Sequence, residues 1–286
     1  MRSAARPAPG DLAQLRRLVA QVRDLPALPG LAARIVAVLE REDADLAEAA
    51  ALIETDQVLA AQVLRVANSA FYGLSGRIAS VEQALTVLGT TVSRSLVYAT
   101  SMLDLRIGRR GFWEHAVGTA VMAGALARWR RLDRPEEISA AGLLHDLGKV
   151  VLFRQAPELF EAVLDDARQQ RRAFRESERA LLGTDHAEIA SWLVGRWRLP
   201  PRLHDAVVYH HEPERSRAAP LETAVVHVAN SLVRGYGYGY GGDDLVPSPT
   251  ATAWARLGLE RRDIHAVLDA FERDIAAAHA TMAAEA

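Results

Sequence analysis

The stretch Ala140-Ala141-Gly142-Leu143-Leu144-His145-Asp146-Leu147-Gly148-Lys149-Val150 decides how this chain is read. An apolar helical run ends on a histidine and an aspartate side by side, and a glycine and a lysine follow. Upstream, Asp133 is placed to cap the helix, Pro135 suits its first turn, and Glu136 and Glu137 complement its positive end. Gly148 is expected to stop the helix in a left-handed conformation. His145 and Asp146 then fall in the last turn, where unpaired carbonyls and the negative dipole end favour a cation. Of the 34 basic side chains one is a lysine, Lys149, and the rest are arginine. A lysine offers a compact, mobile charge suited to a phosphate, whereas arginine offers a rigid fork. The plainer alternative is an incidental lysine in an exposed loop.

Working outward, 286 residues give ample length for a buried core. Half the residues are apolar and 24% are charged, a globular balance. A net charge of −2 leaves no electrostatic footprint for nucleic acid or an anionic membrane. The absence of cysteine excludes disulfides and thiolate metal sites and suits the cytoplasm. The first ten residues lack the hydrophobic core of a signal peptide. The longest apolar run, Ala116 to Ala127, is too short to span a bilayer. These features predict a soluble, cytoplasmic protein.

Apolar spacing predicts helices throughout. They fall at Asp11–Val22, Gly30–Glu40, Asp45–Ile53, from Asp56 onward, at Ser80–Leu88 (ended by Gly89) and at Val92–Leu103. The second half gives a small-residue helix through Ala127, in which Gly118, Ala120, Ala123 and Gly124 would admit a close neighbour. The central helix follows, and then Pro157–Gln169 and Arg175–Leu182. Asp185 and Glu188 form a capping box that puts His186 in a first turn, where the helix end favours neutral imidazole. Pro201–Tyr209, Glu222–Val233 and Asp263–Ala277 complete the set. In the last, Ile264, Val267, Leu268, Phe271 and Ile275 share one face. Gly235–Gly242 reads as a low-complexity Gly/Tyr loop continued by Asp243–Thr252. No stretch alternates like a strand, so the fold class is all-α.

Leu25-Pro-Ala-Leu-Pro29, Ile53-Glu-Thr-Asp56, the run Ala61 to Gly73 and Ala84-Leu-Thr-Val-Leu-Gly89 stand in order before the His-Asp motif. Together they resemble the HDOD (HD-related output domain) family, and His-Asp-x-Gly-Lys itself resembles the HD superfamily of metal-dependent phosphohydrolases. The resemblance implies a multi-helix bundle and a bacterial signalling module. It divides the chain into an N-terminal arm and helix start at 1–17, an HDOD domain at 18–235, and a Gly/Tyr-rich loop with a helical tail at 236–286. Within the domain, 18–105 is a helical half and 106–235 an HD-like half. Asn68, Phe71 and Tyr72 read as a helix-end tie and core aromatics ahead of a ligand site.

By that resemblance, His115, His145 and Asp146 match HD metal ligands, and the last ligand falls on Asn230, where active relatives carry aspartate. His186, His210 and His211 match the additional histidines of HD-GYP phosphodiesterases. Each histidine alone would read as core or helix end; five in order beside an aspartate read as a site. Imidazole and carboxylate oxygen suit iron, manganese or zinc. Asn230 weakens the set, because an amide oxygen brings no charge to offset the cation's. The Asp-Gly-x-Gly-Tyr-Pro that follows the paired histidines in HD-GYP enzymes is also missing, which argues against cyclic di-GMP hydrolysis. Both asparagines of the chain, Asn68 and Asn230, lie in Val-Ala-Asn-Ser. His227, one turn before Asn230, is a candidate to support a ligand; core or surface is the plainer reading. His204, His265 and His279 read as surface.

The expectation is therefore a regulatory HDOD protein with a degenerate HD-type pocket. It would act through a nucleotide or phosphate ligand, or through a protein partner in a signalling pathway, without nucleic acid or membrane. No receiver domain is recognisable, so input would arrive through those contacts. The alternative is a metal-dependent phosphohydrolase in which Lys149 contacts the substrate phosphate.

Overall fold

Residues 30–56, 59–60, 63–64, 67, 78, 80–102, 111–196 and 199–284 are described by the computed structural model. Among them every regular element is helical. The expected helix Asp11–Val22, the Leu25–Pro29 entry, and Asn68, Phe71 and Tyr72 lie outside the described residues.

The N-terminal half contributes α1 (Gly30–Leu39), α2 (Leu46–Glu54) and α3 (Val81–Met102). Asp45 caps α2, its carboxylate accepting the amides of Ala47 and Glu48 at 2.9 and 3.0 Å. Asp56 accepts the Leu59 amide at 3.1 Å, as expected of a cap. The two helices expected around Gly89 form one run, in which Gly89 alone leaves helical geometry (φ 73°, ψ 165°). Ile35, Ile53 and Leu85 are fully buried where the three helices meet.

The second half is built on α4 (Phe112–Trp129), whose middle is buried on all sides. Around it lie α5 (Pro135–Leu144), α6 (Leu147–Gln155), α7 (Pro157–Gln170), α8 (Phe174–Leu182), α9 (His186–Arg196), α10 (Pro201–Val208), α11 (Pro220–Tyr236), α12 (Ala251–Leu257) and α13 (Arg261–Ala284). The close neighbour expected for α4 is α5: a Cβ at Gly142 would stand 2.8 Å from the Thr119 carbonyl. α3 packs on α5 and joins the two halves.

Three local expectations are corrected. Asp133 does not cap α5; Arg134 holds that position at φ 53°, without a side-chain cap. Gly148 is not a left-handed stop. α5 ends at Leu144 with His145 as its cap, the backbone breaks at Asp146 (φ −95°, ψ 13°), and α6 resumes with Gly148 inside it. The glycine answers to a crossing instead, since a Cβ there would lie 1.9 Å from the His186 carbonyl oxygen. Lastly, Asp243–Thr252 is not loop throughout. Thr250 caps α12, accepting the Ala253 amide at 3.2 Å, and seven residues with two buried positions are too few to show a period.

The segment after 235 folds back onto α4. Phe271 of α13 is buried beneath Tyr236 and Tyr238, with ring centroids 5.2 and 6.0 Å away. Arg128 reaches Asp274 at 2.6 Å. The Gly/Tyr stretch is a strap laid across the start of α4. Gly239 (φ 72°) passes so close that a Cβ would meet the His115 amide nitrogen at 2.2 Å, and the Tyr240 amide donates to the Gly111 carbonyl at 2.9 Å. Beneath the strap, Phe112, Phe153, Phe160, Phe174 and Tyr240 form an aromatic cluster with centroids 5.3–5.6 Å apart.

Candidate metal centre

Asp146 sits in the break between α5 and α6, so its carboxylate is not spent on capping and points into the core. It lies between two groups of imidazoles. Oδ2 is 3.6 Å from His115 Nε2 and 3.3 Å from His145 Nε2, while Oδ1 is 3.2 Å from His186 Nε2 and 3.9 Å from His210 Nε2. His211 completes the second group, its Nε2 2.8 Å from that of His186. α4, the α5–α6 junction, the start of α9 and the turn after α10 thus converge on one carboxylate.

In His145, His186 and His210 the far nitrogen fixes how the ring points, whereas His115 Nδ1 has no hydrogen-bond partner. His145 Nδ1–H donates to the Gly142 carbonyl and His210 Nδ1–H to the Val207 carbonyl, both at 2.7 Å. His186 Nδ1–H donates to Glu178 at 2.5 Å, and Glu178 also accepts the His186 amide at 3.1 Å. A carbonyl or carboxylate oxygen only accepts, so these Nδ1 atoms carry protons and each of the three rings turns its Nε2 toward Asp146. This is the arrangement by which outer groups orient metal-binding histidines.

Burial makes unpartnered lone pairs costly. His115, His145, Asp146 and Asn230 are buried, and His115 Nε2, His145 Nε2, Asp146 Oδ1 and Asn230 Oδ1 have no hydrogen-bond partner. Unpartnered buried acceptors are rare, and several in one ligand set fit a cation that satisfies them together. Two ligands about 2.0–2.2 Å from one ion stand roughly 3–4 Å apart, which the observed separations match. The donor chemistry fits iron, manganese or zinc. His115, His145 and Asp146 form one candidate ion site, and His186, His210 and His211 form another.

Burial, reinforced by His145, holds His115 well below the ordinary histidine range; burial, His145 and His186 do the same to His210. Burial alone would raise the Asp146 carboxyl, but His145 and Lys149 outweigh it and hold it well below the carboxylate range. His186 departs from expectation. Burial pushes it down, yet the Glu178 carboxylate prevails and raises it, so the helix end does not set its state. Only half of the expected capping box forms: Asp185 accepts the Glu188 amide at 3.0 Å, while Glu188 takes the Thr184 hydroxyl at 2.8 Å.

Lys149 is buried in α6, not in an exposed loop. Its ammonium donates to Asp146 Oδ2 and to the Gly241 carbonyl of the strap, each at 2.7 Å, and lies 5.3 Å above the Phe174 ring. Glu178 escaped the sequence reading. Its signal is a carboxylate midway between Phe174 and Leu182, four residues from each on the apolar side of α8. His227 is buried and holds two loops together: Nδ1–H donates to the His210 carbonyl at 2.7 Å and Nε2 accepts the Thr250 amide at 2.9 Å. His265 is exposed, and His204 is half-buried beside Asp205.

Comparison with known proteins agrees with this architecture. An HDOD domain protein of unknown function from Geobacter sulfurreducens, known from its crystal structure, is 28% identical with a TM-score of 0.68, over 94% of this chain and 96% of that one. A Shewanella amazonensis SB2B protein, named provisionally as a phosphohydrolase, shares the fold at 22% identity and a TM-score of 0.66, over 92% and 96% of the two chains. An uncharacterized protein of Treponema pallidum (strain Nichols) is 27% identical over 225 residues, which is 75% of this chain. This chain spans only 43% of that relative's length. The family model for the HDOD domain matches residues 25–213, across both helical halves and the His-Asp junction, and places the chain in the HDOD family.

Proposed function

We propose that this chain is a bacterial signalling domain that holds a divalent metal in its HD-type centre and acts by binding a partner, not by turning over a phosphoester. The observation that carries the metal is the Asp146 carboxylate set between two groups of buried imidazoles, with His115 Nε2 and His145 Nε2 unpartnered. His115, His145 and Asp146 would hold one ion with Asn230, and His186, His210 and His211 a second. A bound ion would supply Lewis acidity and an acidified water. Two features of the chain restrain that chemistry. Asn230 offers an oxygen without charge, and the Lys149 ammonium is already committed to Asp146 and the strap. With the ligands buried, a phosphoester has to displace this lysine contact to be held by it. The family resemblance supports a regulatory output.

A second reading, metal-dependent phosphoester hydrolysis, is favoured by the carboxylate shared between both histidine groups. Lys149 would then leave Asp146 for the substrate phosphate. Elemental mass spectrometry on untagged protein purified without chelator tests both. Near-stoichiometric iron, manganese or zinc, lost in Asp146→Ala with the helical spectrum intact and without phosphoester turnover, supports the first reading. Turnover that disappears in Asp146→Ala and in Lys149→Met supports the second. A folded, metal-free wild type overturns the metal assignment.

A further inference from the structure

Beside the strap lies a cleft of about 490 Å³ between the end of α7 and residues 240–245, lined by none of the metal-centre residues. That volume is within the range of small-ligand sites. Three arginines, Arg168, Arg171 and Arg172, form one wall. Arg172 is taken up by Asp166 and the Ser177 hydroxyl. Arg168 and Arg171 enter no ion pair among the described residues, and Arg168 lies near the Tyr240 hydroxyl. On the facing wall, Asp243 is consumed by Arg234 and the Phe174 amide, which leaves Asp244 exposed. Leu245 is 43% exposed, and the Tyr240 ring is half-buried.

These groups divide the cleft by chemistry. Two unpaired guanidiniums suit phosphate oxygens. The Tyr240 ring and Leu245 offer apolar surface to a flat body, and the Asp244 carboxylate accepts from amino, imino or hydroxyl groups. A phosphate joined to a flat body rich in hydrogen-bond donors is a nucleoside phosphate. The strap itself forms part of the cleft wall. Tyr240 lines it, while its amide holds Gly111 and the next carbonyl, that of Gly241, holds Lys149. We propose that this cleft is a second binding site, for a nucleoside monophosphate, and that its occupancy is passed through the strap to Lys149 as the input of the domain. The input role rests on the regulatory reading above; the binding site does not.

Calorimetric titration of the full chain with AMP, GMP, CMP, UMP and inorganic phosphate tests it. At least one nucleotide is expected to bind at one site per chain, tenfold or more tighter than inorganic phosphate. The double variant Arg168→Ala/Arg171→Gly should weaken it tenfold or more. Both side chains are exposed, and glycine suits the φ of 49° at Arg171, so thermal melting should be unchanged. Asp146→Ala should still bind one nucleotide per chain, with its affinity altered only through the Lys149 contact that couples the two regions, which separates this site from the metal centre. Bound nucleotide should also slow amide exchange across 238–242, and not in the double variant. Saturation by no nucleotide, affinity equal to that for phosphate, or loss in Asp146→Ala overturns the site. Binding that leaves strap exchange unchanged overturns the input role, whereas failure of the metal reading would show separately as metal-free protein.

Discussion

A single methyl group at residue 148 would stand 1.9 Å from the His186 carbonyl oxygen, at the crossing of α6 and α9. Gly148→Ala must therefore push the helices apart where Asp146 faces His186. The expected cost is about 1–3 kcal/mol or more, read as a fall of roughly 3–10 °C in Tm together with lost metal; an unchanged melt would show that the crossing yields. Glu178→Gln keeps an acceptor near His186 but removes the buried charge. Metal affinity should fall about 10–100-fold in a chelator competition, with the helical spectrum unchanged. Asp205 shows linkage. Its burial favours the neutral acid, but the Ala218 amide, the Ser216 hydroxyl and the Arg217 amide outweigh that and lower its pKa. A lowered folded pKa gives stability that is full above the unfolded value near 4 and is lost as pH falls through the folded value. Asp205→Asn should accordingly cost about 1–3 kcal/mol at pH 7, with the gap to wild type closing below about pH 4. Equal gaps at pH 7 and pH 3.5 in urea melts would contradict this. At this scale the histidines and Asp146 were legible from spacing and family motif. Glu178 was not, because its role lies in a contact eight positions away across a turn.

Periodicity located most helices, and the misses have physical causes. A glycine after an apolar run reads as a stop, yet at 148 it serves a crossing that no local pattern announces. The helix α12 is too short to show a period. The Gly/Tyr repeat reads as low complexity because its glycines answer to positive φ and to close backbones elsewhere in the chain. Gly239→Ala tests that account. A Cβ at φ 72°, 2.2 Å from the His115 amide nitrogen, should detach the strap. Proteolysis at 235–242 should then accelerate severalfold, and an unchanged cleavage rate would mean that the repeat is not held.

On the scale of the molecule, the family match ends at residue 213, while Asn230, the strap and the helices over α4 come later. A fragment of residues 25–213 uncovers the small-residue face of α4 from Gly118 to Leu126 and leaves Lys149 without its carbonyl acceptor. It should aggregate or lose cooperative melting where the full chain does not, as light scattering and calorimetry would record. That dependence was out of reach of a sequence reading, which set a tail apart where packing joins it to the core. It also puts a clock on biosynthesis. Lys149 leaves the ribosome 92 residues before the carbonyl that receives its ammonium. At about 5–20 residues per second, the interval is roughly 5–20 s. Throughout it the half-made centre carries a buried charge without its full set of acceptors, so the nascent chain stays open to chaperones and proteases until the strap arrives.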